Sequence, residues 1–220
     1  MNESEQSVEG FHHFRSQIYA HPSGGEKLVQ VYDEWADHYK EQNLSVGYCG
    51  PANLAALVSD VIRDKSAKIL DAASGIGMVG EELKRRGFIH IDALEPSQVS
   101  LDKSKEHQCY TEYICDTLDD HQTKIPDDHY DVVVMSGAFG IPGHVTDACF
   151  PELIRITKPG GHIMFTMSTK VAEEWSDKLE GAIQAHAQQG SWEVVDYRWI
   201  IYHQHDTISE KAKVPILRLL

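Results

Sequence analysis

Short apolar runs alternate with amphipathic stretches along most of the chain. The run at residues 132–135 is continuous, which indicates a strand buried on both faces, as in a parallel sheet. The stretches between the runs carry apolar residues at helical spacing. Further strands are predicted at residues 69–70, 89–94, 110–115 and 162–167. Strands that alternate with helices predict an α/β fold with helices on both faces of a mostly parallel sheet.

The two ends of the chain depart from this pattern. Residues 1–10 are polar and acidic, and a Pro-Ser-Gly-Gly break follows residues 11–20, so we expect a flexible N-terminal segment over residues 1–25. Within it, the mixed aromatic and histidine segment FHHFRSQIYA at residues 11–20 suggests a short helix that packs over another part of the protein. Residues 26–220 are expected to form a single domain, which begins with one helix at residues 26–42. The tail at residues 192–203 and 213–220 is strand-like, and Pro215 should lie at the start of its strand or at a bulge.

The stretch KILDAASGIGMVGEELKRRGF, at residues 68–88, carries the strongest candidate chemistry. A strand ends at Asp71, a loop of small residues runs to Gly77, and a helix follows. Glycines let backbone N–H groups approach a ligand, so the stretch predicts a nucleotide or nucleoside pocket. The spacing of Gly75, Gly77 and Gly80 also fits the G-x-G-x-x-G pattern of dinucleotide-binding folds, which is weak evidence alone.

An acidic residue follows the next predicted strand. Glu95 lies 18 residues after Gly77, where an acid at the tip of the strand accepts hydrogen bonds from both hydroxyls of a ribose. Pro96 and Ser97 come next and belong to the same predicted pocket. Dinucleotide enzymes use this position as well, so Glu95 supports a ribose without choosing between the two kinds of pocket.

Composition limits the partners. The 220 residues carry 34 acidic and 20 basic side chains, a formal net charge of −14, which repels phosphate backbones and anionic membranes. We therefore expect neither nucleic acid nor a membrane as partner, and leave the oligomeric state open. The four cysteines lack C-x-x-C spacing and no apolar leader is visible, which predicts a cytoplasmic protein. The clusters His12-His13 and His203-Gln204-His205-Asp206 lack further ligands, so no metal is expected.

Four motifs together resemble the class I S-adenosylmethionine-dependent methyltransferases. They are Y-D-x-W-A-x-x-Y at residues 32–39, L-D-x-A-x-G-x-G-x-V at 70–79, the pair His144-Val145, and P-E-L-x-x-x-T-K-P-G-G at 151–161. Over residues 31–168 their order and spacing are similar to the methyltransferase-like family of the Williams–Beuren syndrome region. The resemblance implies a Rossmann-like fold, with a seven-stranded mostly parallel sheet and a C-terminal antiparallel hairpin. It also implies S-adenosylmethionine as cofactor and S-adenosylhomocysteine as product.

The resemblance assigns roles in cofactor binding near the glycine loop. The loop, with Ala73, Gly75 and Gly77, wraps the amino acid and ribose portions of the cofactor. Asp71 orders this loop or reaches the methionine ammonium. Tyr39 closes over the methionine end from a lid helix at residues 26–42. Ser74 departs from many relatives, which place cysteine or glycine there.

Two further pairs of residues acquire roles in the same way. Asp116 matches the acid that accepts a hydrogen bond from the adenine amine, and the backbone N–H of Thr117 matches the group that contacts the ring. Ser136 and Gly137 follow the fourth strand, whose carboxyl end should face the transferable methyl group. After Ser168 the likeness is slight, so no substrate feature carries over there.

The acceptor is less defined. An oxygen or thiol acceptor must lose a proton, and His144, just beyond the fourth strand, is the candidate base, with His13 second. Trp35, Tyr39 and Phe139 either form an aromatic wall suited to a small, partly apolar acceptor or belong to the core. The N/D/S-P-P-Y/F motif of nucleobase amino-methyltransferases is absent.

We therefore predict a methyltransferase that acts on an unidentified, small-molecule acceptor. A protein that binds S-adenosylmethionine or S-adenosylhomocysteine without turnover is the first alternative, and a protein acceptor stays open. An NAD-dependent oxidoreductase is the second alternative, but it needs a further catalytic unit for which 220 residues leave little room.

Overall fold

The computed structural model describes residues 3–205 and 208–220, without the side chains of residues 170–176 and 208. Asp206, the last member of the cluster His203-Gln204-His205-Asp206, lies outside the described residues. The helices are α1 (Glu3–Tyr19), α2 (Glu26–Trp35), α3 (Tyr39–Ser45), α4 (Gly50–Val61), α5 (Met78–Arg85), α6 (Gln98–Ser104), α7 (Phe150–Ile156) and α8 (Thr169–Gln188). Of the helices in the described ranges, none combines the length and apolar character needed to cross a bilayer.

One mixed sheet runs through the molecule. Its strands are β1 (Lys68–Ala72), β2 (His90–Leu94), β3 (Tyr113–Ile114), β4 (Tyr130–Met135), β5 (Thr157–Phe165), β6 (Met167–Ser168), β7 (Trp192–His205) and β8 (Ile208–Leu219). Their order is β3-β2-β1-β4-β5-β8-β6, with β7 also paired to β8. Strands β1 to β5 are parallel, whereas β7 and β8 form an antiparallel hairpin against β5.

This topology confirms the predicted fold class. Over the described residues the sheet has eight strands rather than seven, because the two-residue strand β6 continues past β5 and pairs with β8. Alternate residues of β4 enter opposite cores, as the twofold period of a strand requires. Val133 packs in the core that includes α7, whereas Val132 packs in the core that includes α4 and α5. Helices therefore cover both faces, as the continuous apolar run predicts.

The expected flexible segment at residues 1–25 differs from the structure, in which residues 3–19 form α1. Acidic residues in the first turn, Glu3 and Glu5, suit the positive end of the helix dipole. Phe11 and Ile18, seven residues apart, are buried against α2. The short helix suggested at residues 11–20 is the second half of α1. Polar composition hides the first half from the sequence, because only one narrow stripe of the helix packs against the protein.

The single helix predicted at residues 26–42 is divided into α2 and α3. The backbone N–H of His38 donates to the carbonyl of Trp35 at 2.9 Å, a bond three residues back that tightens the chain out of the α-helical path. The indole N–H of Trp35 then donates to Gln42 at 2.7 Å across the break. This bond fixes the two helices to each other, with the Tyr39 ring 4.7 Å from the Trp35 ring.

Several strand boundaries also differ from the expectation. Strand β3 covers two residues rather than six, and β8 begins at Ile208, five residues before the predicted start. Pro215 therefore lies inside its strand rather than at its start, opposite Tyr197 of β7 and next to Ile216, whose partner Asp196 borders the register shift after Val194. On its other side Pro215 falls between the part of β8 that pairs with β5 and the part that pairs with β6. A residue without an N–H is tolerated at such an interruption.

Candidate functional site

The glycine loop connects β1 to α5 at the carboxyl edge of the parallel strands. Gly75 and Gly77 adopt positive φ angles of 53° and 91°, and Ala73 does so at 53°. A side chain added at Gly75 would meet no atom within 4 Å, so the loop borders open space there. At Gly80, an added Cβ would lie 2.3 Å from the Tyr110 ring. Gly80 therefore serves close packing, whereas Gly75 leaves room for a ligand.

Asp71 holds this loop from the end of β1. Its Oδ2 accepts hydrogen bonds from the Gly80 N–H at 3.1 Å and from the Tyr110 hydroxyl. Its Oδ1 is buried and has no partner. Burial raises the pKa of Asp71 to about 7, against the lowering effect of the two hydrogen bonds. One oxygen thus orders the loop, while the other is free for a donor such as an ammonium.

Glu95 connects the ends of β1 and β2. Its Oε2 accepts from the Gly75 N–H at 2.9 Å and its Oε1 from the Ser97 N–H at 3.0 Å. Burial raises the pKa of Glu95, and the two backbone N–H groups oppose that rise. Each carboxylate oxygen has a second lone pair, so the two oxygens retain capacity for the paired hydroxyls of a ribose.

Pro96 and Ser97 lie beside Glu95 in different ways. Pro96 is half-buried, whereas Ser97 is fully buried. The Ser97 hydroxyl accepts from the Ser100 N–H at 2.9 Å, which caps α6, and it donates to Asp33 of α2. The side chain of Ser97 is therefore engaged in holding α6 and α2 together.

Asp116 and Thr117 lie beyond β3. Asp116 Oδ1 accepts from the Thr117 N–H at 2.9 Å and contacts His121 Nε2 at 3.1 Å. Asp116 is half-buried and Thr117 is exposed. The N–H that the resemblance assigns to the adenine ring is thus bonded to Asp116 here, and His121 is a neighbour that the sequence did not indicate.

Ser136 and Gly137 lie where β4 ends, next to two tyrosines. The Ser136 hydroxyl is 3.0 Å from the Tyr48 hydroxyl, and the Gly137 N–H donates to Thr166 at 2.9 Å. A Cβ at Gly137, whose φ is 76°, would lie 3.1 Å from both the Tyr48 and the Tyr202 hydroxyl oxygens. The chain after β4 therefore passes tightly against a pair of tyrosine hydroxyls.

A cavity of about 170 Å³ opens at this point, between the carboxyl end of the sheet and the helices α1 to α3. Eight of its 18 lining residues are Phe, Tyr or Trp, including Tyr32, Trp35, Tyr39, Tyr48, Phe139 and Tyr202. Trp35 and Phe139 are 3% and 2% exposed, so they belong to the core as well as to the cavity wall. Burial raises the pKa values of Tyr39, Tyr48 and Tyr202 above the ordinary range.

His144 lies behind this wall rather than in it. Its Nδ1 is 3.0 Å from the Pro142 carbonyl and must donate to it, so Nε2 accepts from the Tyr32 hydroxyl at 2.5 Å. Burial lowers the pKa of His144, which favours the neutral ring. Tyr32 itself lines the cavity. His13, the second candidate base, is exposed on α1.

The sequence missed part of this site. Tyr48 follows α3 and Tyr202 lies in β7, far from the glycine loop in sequence, and neither belongs to a motif. Tyr32 is the first tyrosine of the motif at residues 32–39, but the resemblance assigns a role only to the second tyrosine, Tyr39. Among the described residues, no three metal-ligating side chains come together.

The geometry fits S-adenosylmethionine in two respects. The unpartnered Oδ1 of Asp71 is a buried acceptor suited to the ammonium of the methionine part. The open space beside Gly75, next to the Glu95 carboxylate, suits a ribose. Both features lie at the carboxyl edge of the sheet, where open α/β folds bind their ligands.

Known proteins match the same region. Residues 69–161 match the family model described as a methyltransferase domain. Human methyltransferase-like protein 27 is 29% identical over 175 residues, which cover 78% of this chain and 70% of that protein. A ubiquinone biosynthesis O-methyltransferase of Yersinia pestis is 31% identical over 121 residues, or 52% of this chain and 48% of that protein. The chain thus spans about half the length of the second relative.

A solved structure shares the fold. The TehB-like SAM-dependent methyltransferase from Corynebacterium glutamicum has a TM-score of 0.59 at 16% identity, covering 84% of this chain and 96% of that one. The segment matched by the family model contains the glycine loop, Glu95, Asp116 and the end of β4.

Proposed function

We propose that this chain, a class I S-adenosylmethionine-dependent methyltransferase, methylates a small molecule held in the aromatic cavity. The observation that carries the proposal is the cavity itself. It measures about 170 Å³ and is bordered by Gly137, which follows β4, and by Tyr39. A cavity of this size, bordered by helices α1 to α3, suits a small organic acceptor rather than a polymer chain.

S-adenosylmethionine is the cofactor of this enzyme class, and we assign its binding to residues of this chain. The loop with Ala73, Gly75 and Gly77 would hold the amino acid and ribose parts, Asp71 the ammonium, and Glu95 the ribose hydroxyls. When bound, the cofactor would supply an electrophilic methyl group with its sulfur as the leaving group. The protein then needs to position the acceptor and, for a hydroxyl or thiol, to take its proton.

We propose that the proton leaves through Tyr32 and His144. Tyr32 lines the cavity, and its hydroxyl donates to Nε2 of His144. An acceptor proton can pass to the Tyr32 oxygen while the Tyr32 proton passes to Nε2. The imidazolium formed keeps its Nδ1–H on the Pro142 carbonyl, so no side chain has to move. His144 would thus act from behind the wall, without contact with the acceptor.

Filling the cavity tests the acceptor site. Ile141 lines the cavity, and Ile141→Trp adds an indole where the acceptor would bind. We expect methyl transfer to a panel of small metabolites to fall at least about tenfold, since lost complementarity of about 1.4 kcal/mol already has that effect. Binding of S-adenosylhomocysteine, measured by calorimetry, should stay within about twofold of the wild type.

Two variants control this experiment. Val195→Trp places the same indole on β7, where Val195 is 50% exposed, and should leave both readouts unchanged. Glu95→Ala should instead weaken the binding of S-adenosylhomocysteine, which Ile141→Trp leaves nearly unchanged. Undiminished transfer by Ile141→Trp would rule out the cavity as the acceptor site.

A further inference from the structure

We propose that the acceptor is an organic acid whose carboxylate is bound by Arg15. The inference rests on the proposed function, because it takes the cavity as the acceptor site, and it names the chemical class of the acceptor. Arg15 is half-buried on α1 and lines the cavity together with Phe11 and Tyr19, one turn before and one turn after it.

The position of Arg15 is fixed without the help of an acid. Its guanidinium carbon lies 5.8 Å from the ring centroid of Phe11 and 5.8 Å from that of Tyr19. Such ring contacts orient the guanidinium but satisfy few of its five N–H donors. Within the described residues Arg15 makes no ion pair and no side-chain hydrogen bond. The donors are therefore available to a ligand in the cavity.

The other charged groups of the cavity do not compensate Arg15. Glu210 is the acidic residue in the lining, and it lies 3.2 Å from Nδ1 of His203. Both of these residues belong to the hairpin β7–β8, whereas Arg15 comes from α1. Arg15 lowers the pKa of Tyr32 in the cavity wall, against the larger raising effects of burial and of neighbours that include Tyr39 and Glu95. The cavity therefore has a basic end on the helix side.

An uncompensated arginine is unusual in this particular chain. Acidic residues outnumber basic ones by 34 to 20, so a carboxylate is available near most surface cations. Most of the other arginines have one, as Arg85, Arg86, Arg155, Arg198 and Arg218 illustrate. An arginine left without an acid inside an aromatic cavity fits a carboxylate that arrives with a ligand, since the planar guanidinium matches it with two parallel hydrogen bonds.

The test measures binding of small acids to the protein saturated with S-adenosylhomocysteine. The probes are benzoate, phenylacetate, 3,4-dihydroxybenzoate and butyrate, each compared with its own carboxamide by ligand-observed NMR and calorimetry. We expect at least one acid to bind about 10- to 100-fold more tightly than its carboxamide, the range for hydrogen bonds to a charged group. Arg15→Met should abolish this preference, because it keeps the aliphatic stem between the two rings and removes the charge.

Two control variants show whether the preference for acids depends on the charge at position 15. They distinguish it from the planar shape of the guanidinium and from the net charge of the protein. Arg15→Lys should retain part of the preference, since lysine keeps the charge without the planar fork. Arg198→Met removes the same charge from the exposed part of β7 and should behave as the wild type. A purely structural role of Arg15 would leave the preference for acids intact in Arg15→Met.

Three results would overturn the inference. They are equal binding of acids and carboxamides, a preference that persists in Arg15→Met, and no binding of any acid. Failure of the proposed function is a separate result. It would appear as S-adenosylhomocysteine binding and acid binding without methyl transfer to any acceptor, or as transfer that survives Ile141→Trp.

Discussion

Tyr32 stands between the cavity and His144, and this arrangement has a consequence for the pH dependence of the reaction. Because burial lowers the pKa of His144, the ring is neutral and able to take a proton throughout the neutral range. Its ability is lost only as pH falls below the ordinary histidine value of about 6.5. We expect kcat/KM for a hydroxyl or thiol acceptor to rise with pH through this lowered pKa and then to stay level.

Variants of the pair should remove this profile. His144→Gln and Tyr32→Phe are each expected to slow the reaction about 10²- to 10⁴-fold, the usual contribution of a positioned proton acceptor, and to abolish the acidic limb of the profile. An acceptor that is already deprotonated, such as an acidic thiol, should be affected far less. A full acidic limb in His144→Gln would assign that pKa to another group.

At the level of single residues, the sequence predicted for physical reasons which side chains meet at the carboxyl edge of the sheet. Asp71 and Glu95 follow apolar strands directly, and the carboxyl ends of neighbouring parallel strands meet at one edge. The relation of His144 to the cavity could not be predicted, because it depends on the Tyr32 hydroxyl from a separate helix. The partners of Asp116 and of Ser97 are likewise set by loops whose course the sequence does not reveal.

Helix α1 is the element that completes the cavity, since Phe11, Arg15, Ile18 and Tyr19 form one wall of it. Its apolar face packs on α2, away from the two cores of the sheet. We therefore expect a chain lacking residues 1–20 to fold and to bind S-adenosylhomocysteine, but to transfer methyl groups to its acceptor at least about tenfold more slowly, because water enters the cavity. Calorimetry and a methyl-transfer assay on the same preparation measure both effects.

A milder variant guards against misfolding of the shortened chain. Phe11→Ala with Phe14→Ala weakens the packing of α1 on Trp35, whose ring lies 6.0 Å from that of Phe11 and 5.4 Å from that of Phe14. It should lower methyl transfer in the same direction while leaving the sheet untouched. Unchanged transfer in both variants would show that α1 is not part of the acceptor site.

The helices and strands differed in how well the sequence predicted them. The strands β1, β4 and β5 were predictable because burial on both faces requires a run of apolar residues. The first half of helix α1 was not, because its buried stripe is narrow and residues 3–10 are mostly polar and acidic. The division of residues 26–42 depends on the hydrogen bond between Trp35 and Gln42, a tertiary contact that helical periodicity does not contain.

The whole molecule carries a formal charge of −14, and this field distinguishes the cofactor from its product. At neutral pH S-adenosylmethionine has one net positive charge, from its sulfonium, ammonium and carboxylate groups, whereas S-adenosylhomocysteine has none. A negative field attracts the first and not the second. Since salt screens such long-range attraction, binding of the cofactor should weaken as ionic strength rises while binding of the product changes little.

Between about 20 mM and 300 mM sodium chloride we expect the dissociation constant of S-adenosylmethionine to rise about threefold relative to that of S-adenosylhomocysteine. Titration calorimetry at five or more salt concentrations measures the ratio, and the product serves as a matched neutral ligand for the same pocket. A parallel response of the two ligands would mean that only local groups such as Asp71 sense the cofactor charge. A diverging response would mean that the acidic surface helps to exchange spent cofactor for fresh cofactor.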